Sequence, residues 1–432
     1  MSGKLETLLR QAQEHETGGI VLGLARVQQL LKALGNPQQN LQIIHIAGTN
    51  GKGSVAAFLD AILRQAGVRV GLYTSPHLIR FNERIQIDSE QISNSELCQI
   101  LERVLQICRQ EKIPATFFEI TTAVALCYFS YQGLAADSKN PGIVILETGL
   151  GGRLDATNCV SPLLCLITAI GHDHEDFLGN TVAQISKEKA GILKQDTPAA
   201  AAPDSVEAAT IIQQHAKTIG CNIDFLGEEF FFNKDLQANN SWQFHDQYGT
   251  IQLTKPGLAG DHQYSNCALA IAGIRILSRL GWNIPEQAIQ QGVGAVVWPG
   301  RLQWIHNSTH PILIDGAHNI HAATILVNYL NSITDKPDRF SLIFAALKNK
   351  NCHAIAKILA PLVDRVWTIS VGGERGMEAS LLANIWRNLG KEATPCTTAI
   401  AALEMAREHS KPNQIILVAG SLYLVGEVQS LL

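Results

Sequence analysis

The stretch HIAGTNGKGSVAAFL, residues 45–59, reads as a strand, a tight glycine loop and a helix. It resembles the phosphate loop G-x-x-x-x-G-K-[ST], in which a hydroxyl residue directly follows the lysine. Here Gly48 stands only three residues before Gly51-Lys52, and Gly53 separates Lys52 from Ser54. In a strand–glycine–helix context, backbone N–H groups at the helix start point at phosphate and the helix dipole adds partial positive charge. Lys52 would then reach the β- and γ-phosphates, and Ser54 would face a metal or the terminal phosphate. A plain βα turn with a surface lysine has the same local pattern, so the loop alone leaves both readings open.

The chain has 432 residues, too many for one ordinary core, so two or three domains are expected. A composition 46% hydrophobic and 17% charged fits a soluble globular enzyme better than a disordered chain. The formal net charge of -4 supplies no bulk positive field, so neither nucleic acid nor an anionic membrane is expected as a partner. No apolar run reaches the roughly 18 residues of a membrane span. The opening residues lack the basic-then-apolar pattern of a signal peptide. The nine cysteines are scattered and form no C-x-x-C pair, which suits a reduced, cytoplasmic protein without a cysteine zinc cage.

From residue 41 onward, short apolar strands alternate with helical stretches. Strands are predicted at 43–47, 68–74, 143–147 and 163–170, and helices at 55–66, 95–110, 119–131 and 262–280. Continuous Val/Ile/Leu runs between helices imply a parallel sheet covered on both faces. Residues 225–255, with FFFNKDL, a polar ANN turn and SWQFHDQYGTIQLT, predict an antiparallel hairpin insert. TPAAAAP at 197–203 reads as the edge of a loop. A second series begins near residue 300, with strands predicted at 312–315, 341–345, 365–370 and 414–419. The expected fold is therefore α/β throughout. Residues 1–296 form an ATPase-type domain with a parallel sheet and a small antiparallel insert. Residues 297–432 form a Rossmann-like α/β domain. The segment GAVVWPGR marks the boundary.

Three further stretches bring chemistry to the sheet edge. In PGIVILETGLGGRLDATN, an apolar strand ends in Glu147, and a carboxylate there, beside a phosphate loop, is where Mg²⁺ is usually held. Gly149, Gly151 and Gly152 weaken the plain alternative of a solvent-facing strand end. In CLITAIGHDHEDFLGN, another buried strand delivers His172, Asp173, His174, Glu175 and Asp176, a density of ionisable groups that favours a ligand or catalytic role. The same residues begin the H-x-H-x-D motif of metallo-hydrolases, but Phe177 stands where a further histidine is required. SKEKAGIL carries Lys187 and Lys189 on a helix; charge alone reads it as a solvated face. From the second domain come Arg301, Asp315, His318 and Asn319, with His262, Gln263 and Asn266 near the seam, which together place charged groups of two domains around one cleft.

These residues are similar to a known family. GTNGKGS, YTSPHLIRFNERI, FFEITTA, ILETGLGGRLDATN, GHDHEDFLG, EKAGI, GDHQYSN, PGR and DGAHN occur in the order seen in folylpolyglutamate synthase/dihydrofolate synthase, within the Mur ligase superfamily. The resemblance runs from about residue 18 to the C-terminus. It implies an ATP-dependent ligase that joins L-glutamate to dihydropteroate and to reduced folates through an acyl phosphate, releasing ADP and phosphate. Carried over by position, Thr49, Asn50, Gly51, Lys52, Gly53 and Ser54 would contact ATP, as would Asn266, Arg301 and Asp315. Ser75, Glu147, His174 and Lys189 would hold Mg²⁺, with Lys189 carbamylated, against the solvated-face reading. Lys52, Lys189 and His318 would serve the chemistry. Leu22, Gly23, Thr122, Leu154 and Asp155 would bind the folate or pteroate. The resemblance also implies a monomer, and leaves open a monovalent cation. One departure stands out: in IVLGLARV, Val21 and Ala25 replace two acids found in many bifunctional members, on the dihydropteroate side.

The alternatives are distinguishable. A folylpolyglutamate synthase without the dihydropteroate activity would keep every ATP residue. A cell-wall Mur ligase would carry a sugar-nucleotide domain before the loop and read G-K-[ST]; only 47 residues precede Gly48, and Gly53 intervenes. An ATP-sensing switch would lack the metal acids, and a metal-dependent hydrolase would need a histidine at Phe177. The inserted Gly53 thus separates the folate branch from the cell-wall ligases. Its expected purpose is to let the backbone lie closer to the phosphates.

Overall fold

The strand of residues 45–47 lies near the centre of an eight-stranded sheet in the computed structural model, which describes residues 2–15, 22–234, 241–306, 310–333, 339–412 and 414–432. Val21 and the ANN turn at 238–240 fall outside the described residues. The sheet comprises β1 (Gln42–Ala47), β2 (Arg69–Tyr73), β3 (Ile85–Ile87), β4 (Glu90–Gln91), β5 (Gly142–Glu147), β6 (Leu164–Ile167), β7 (Ala199–Ala201) and β8 (Ile223–Phe225), in the order β4-β3-β2-β5-β1-β6-β7-β8. The six strands from β2 to β8 in that order are parallel; β3 and β4 add an antiparallel edge.

Every residue of β5 is buried, as expected of a strand covered on both faces. One face packs on the helix Lys52–Gln65, the helix His262–Arg279 and a small sheet, through Ile44, Ile46, Phe58, Ile145 and Ile271. The other packs on Asn94–Gln110 and Phe117–Tyr131, through Ile43, Val144, Leu101 and Val124. Both of those helices begin with a capping box, Ser93 with Glu96 and Thr116 with Glu119, which satisfies the first free N–H groups.

Four expectations need correction. The strand predicted at 163–170 ends at Ile167: the Thr168 N–H still donates to Ala47 of β1, but the Thr168 hydroxyl and the Ala169 carbonyl turn to the phosphate loop. TPAAAAP is not a loop edge: Ala199–Ala201, three of its four alanines, form β7, inside the sheet between β6 and β8. Alanine has little strand propensity, so tertiary packing decides there. The insert is not a simple hairpin but a three-stranded antiparallel meander of β9 (Phe230–Lys234), β10 (Ser241–Asp246) and β11 (Gly249–Thr254). Its Trp242 and Phe244 enter the core of the large sheet. The helix predicted from residue 55 starts at Lys52, which brings Gly53 and Ser54 into its first turn.

The second α/β domain holds β12 (Gln303–Ile305), β13 (Ile312–Ile314), β14 (Phe340–Phe344), β15 (Val363–Thr368), β16 (Glu392–Pro395) and β17 (Ile416–Ala419), ordered β12-β13-β17-β14-β15-β16. All pairs are parallel except β12–β13. Strands β12 and β16 are short, polar at several positions and lie at the edges, so hydrophobic pattern alone does not reveal them. Among the described residues, no helix is long and apolar enough to cross a membrane.

Candidate active site

Strands β1, β2 and β5 end at the same edge of the large sheet, and the loops that follow them converge there. After β1 the chain turns through Gly48 and Gly51, the latter with φ +94°, and enters the helix at Lys52. A Cβ on Gly51 would also overlap the Asn266 side chain, so both backbone and space require glycine. The loop is pinned by the segment after β6. The N–H groups of Thr49 and Asn50 donate to the Ala169 carbonyl at 2.9 and 3.3 Å, and the Thr168 hydroxyl donates to the Asn50 carbonyl at 2.7 Å. On the other side, Gln263 donates to the Ser54 hydroxyl at 3.3 Å, and Asn266 donates to Gln263 at 3.0 Å.

Lys52 Nζ lies 3.1 Å from the Gly48 carbonyl and 3.9 Å from Glu147 Oε1. Lys189 Nζ donates to the same Gly48 carbonyl at 2.8 Å. Lys189 is 4% exposed, so charge alone misreads its helix: Lys187 faces solvent and Lys189 points into the molecule. Burial, and then the charge of Lys52, push its ammonium down to about 7, which makes the neutral amine accessible. Glu147 accepts from the Ser75 N–H at 3.2 Å; burial pushes its carboxyl up, against the pull of Lys52.

The cluster at 172–176 divides. His172 pairs with Glu175 at 2.9 Å on the surface, and Asp176 and Phe177 are exposed. Only Asp173 and His174 line the cleft. His174 takes a left-handed backbone, φ +52°, and its Nδ1 is buried without a hydrogen-bond partner. Burial pushes its imidazole down to about 4, so it is neutral and able to act as a ligand.

The second domain closes the cleft. Asp315, at the end of β13, accepts from the Leu302 N–H at 3.0 Å and from the Ala317 N–H at 2.9 Å, and so fixes the turn that carries Arg301. His318 Nδ1 donates to the Gly316 carbonyl at 2.7 Å, leaving Nε2 3.8 Å from Asp173 Oδ2. Asn319 and Asn50 bond side chain to side chain across the seam, at 3.1 Å and 3.4 Å.

The cleft is lined by Thr49 to Ser54 of the loop, by Ser75, Glu147, His174 and Lys189, and by Asn266, Arg301, Asp315 and His318. The residues expected for ATP, metal and chemistry thus stand together, although they come from stretches spread over more than half the sequence. The set expected for the folate does not line this cleft. Thr122 is fully buried, 3.3 Å from the Tyr73 hydroxyl; Asp155 is also buried, while Leu154, Leu22 and Gly23 are half-buried. A metal fits the donor set in one form. Glu147 offers oxygens, Ser75 a hydroxyl and His174 a bare buried nitrogen, whereas an ammonium on Lys189 repels a cation and a carbamate there would not. Among the described residues, no group of three or more His, Cys, Asp and Glu side chains is placed to hold a metal.

Sequence reading missed several neighbours. Lys350 forms a short ion pair with Asp173, and its Nζ is 3.5 Å from His174 Nε2. His321 bonds Asn50 at 2.7 Å and Asp204 at 2.8 Å. Trp298 packs on Gly53. Lys350 lies in a polar loop, KNKN, with no pattern to single it out; only the pairing of two domains does so.

Comparison with known proteins adds an independent finding. Residues 301–431 match the family model described as dihydrofolate synthetase, C-terminal domain. The chain is 34% identical to a dihydrofolate synthase/folylpolyglutamate synthase of Bacillus subtilis, over 95% of each chain. Its fold is similar to that of E. coli FolC in complex with DHPP and ADP, with TM-score 0.88 and 30% identity, covering 99% of this chain and 97% of that one. It is also similar to a Yersinia pestis bifunctional folylpolyglutamate synthase/dihydrofolate synthase complexed with AMPPNP and Mn ion, with TM-score 0.86 and 30% identity over 99% and 97%.

Proposed function

The chain belongs to the dihydrofolate synthase/folylpolyglutamate synthase family, and from that premise we propose that it joins L-glutamate to dihydropteroate and to reduced folates at the expense of ATP. The observation that carries the proposal is the single cleft in which Lys52, Glu147, His174 and Lys189 of one domain face Arg301 and His318 of the other.

A carboxylate is a poor acyl donor. Transfer of the γ-phosphoryl group to it gives an acyl phosphate; the glutamate amine then attacks the carbonyl and phosphate leaves. The N–H groups at the start of the helix Lys52–Gln65 receive the phosphates of ATP, and Lys52 and Arg301 offset the charge that builds up in transfer. Arg301 is aimed by Asp315, which holds the following N–H. Mg²⁺, held by Ser75, Glu147, His174 and carbamylated Lys189, would supply further neutralisation of the phosphate oxygens. His318, with Nε2 free of its own backbone bond and its imidazole pushed down to about 4 by burial, stays neutral and is positioned to accept a hydrogen bond from the incoming amine. The two domains shield the acyl phosphate from water, which would hydrolyse it.

The remaining expectations belong to the same proposal: division of the chain between residues 296 and 297, a monomer, a cytoplasmic location, and Leu22, Gly23, Thr122, Leu154 and Asp155 as the folate-binding group. Incubation with MgATP, acceptor and hydroxylamine, without glutamate, tests the intermediate. An acceptor hydroxamate is expected; ATP consumption by the full reaction with no trapped hydroxamate would count against an acyl phosphate.

A further inference from the structure

His45 sits in the middle of β1 and is fully buried, among Ile43, Ile44, Ile46 and Ala47, which are all apolar. Its Nε2 lies 2.8 Å from the hydroxyl of Thr157. That hydroxyl donates to Asp155 Oδ1 at 2.5 Å, and the Thr157 N–H donates to the same oxygen at 3.0 Å. The other carboxylate oxygen accepts from the Leu150 N–H at 2.7 Å. Thr157 has one hydroxyl hydrogen, so if Asp155 receives it, the oxygen must accept from His45 Nε2–H. This fixes the tautomer and leaves Nδ1 bare. Nδ1 is indeed buried without a partner.

An imidazole here has a cost: a polar nitrogen is buried unsatisfied where an aliphatic side chain would fill the space. Its return is a rigid link. Strand β1 runs from His45 directly into the phosphate loop at Gly48, and Asp155 lies on the loop after β5. The chain His45–Thr157–Asp155 therefore ties the position of Asp155 to the strand that carries the phosphates. Phosphoryl transfer to a carboxylate needs the two substrates in register, and a displacement of about 1 Å can cost about a hundredfold in rate.

We propose that His45 is a positioning residue for acceptor binding, acting through the Thr157 hydroxyl to orient the carboxylate of Asp155. The proposal rests on the reading of Asp155 as part of the folate site. Burial pushes the imidazole down to about 3, so His45 is neutral and keeps its Nε2–H as a donor across the working pH range.

The test is steady-state kinetics of five variants, four single and one double, with acceptor and ATP varied separately. His45→Leu should raise KM for the acceptor about tenfold, the loss of one hydrogen bond in a chain ending on a charge, and leave KM for ATP within twofold. His45→Gln, whose amide N–H can replace Nε2–H, should recover most of the loss. Thr157→Val should reproduce His45→Leu, and the two together should be no worse than either; it carries the test if His45→Leu does not fold. Unchanged acceptor KM in both His45→Leu and Thr157→Val, or equal rises in both KM values with no rescue by glutamine, would overturn the positioning role. Asp155→Asn separates the two layers. If it leaves acceptor KM unchanged, the folate-site reading fails; if it raises KM while His45→Leu does not, only the positioning role fails.

Discussion

Gly53 faces the indole of Trp298: a Cβ built on Gly53 would stand 3.1 Å from Nε1 and 3.4 Å from Cε2 and Cζ2. Trp298 belongs to the segment that joins the two domains, and Gly53 to the first turn after the phosphate loop. The extra glycine therefore makes room for an indole. A methyl group at this position must push the ring away by a few tenths of an ångström, an overpacking that costs about 1 kcal/mol.

Gly53→Ala should accordingly raise KM for ATP about fivefold, the equivalent of that strain. Trp298→Ala in the same background should restore part of it by removing the ring. Kinetics with ATP varied would check both. An unchanged KM in Gly53→Ala would mean that the contact does not constrain the loop.

Lys350 and Asp173 join the domains through a pair only 7% and 9% exposed. Removing one member of a buried pair leaves the other charge unpaired, at a cost of about 3–5 kcal/mol. Lys350→Met should lower the midpoint of thermal unfolding clearly, and Lys350→Met with Asp173→Leu should recover much of the loss. A single variant as stable as the parent protein would show that the pair does not hold the domains together.

These two contacts mark the limit of what sequence pattern conveys. The phosphate loop, the acid at the end of β5 and the α/β order were legible because glycine spacing and apolar runs are local signals. So was the ordered series of motifs that places Ser75 and Lys189. Burial of Lys189 was not legible from charge, since Lys187 two residues earlier looks the same and faces water. Strand β7 was hidden because a run of alanines carries no strand preference. The partners of Asp173 and Gly53 were hidden for a different reason: Lys350 and Trp298 reach them only when two separately coded domains meet.

Lys189→Ala should lower the rate of ligation by at least about a hundredfold, on the scale of losing one charged group at a phosphoryl-transfer centre. Circular dichroism and ADP affinity would establish that the variant is folded. A near-normal rate in a folded Lys189→Ala protein would remove the carbamate from the account.

Glu147→Gln keeps the size of the side chain and removes its charge. Mn²⁺ affinity in the presence of ADP, followed by electron paramagnetic resonance, should fall at least about tenfold. Equal Mn²⁺ affinity in the two proteins would place the metal elsewhere.

The proposed reaction of this cleft is transfer of the phosphoryl group of ATP to a folate-type carboxylate, followed by its joining to glutamate. Phosphate release from MgATP and L-glutamate, with dihydropteroate and tetrahydrofolate supplied in separate reactions, tests it most directly. Release that depends on each acceptor and on glutamate is the predicted result, and release with only one acceptor would restrict the enzyme to that half of the chemistry. A folded preparation that releases no phosphate with either acceptor would contradict the account.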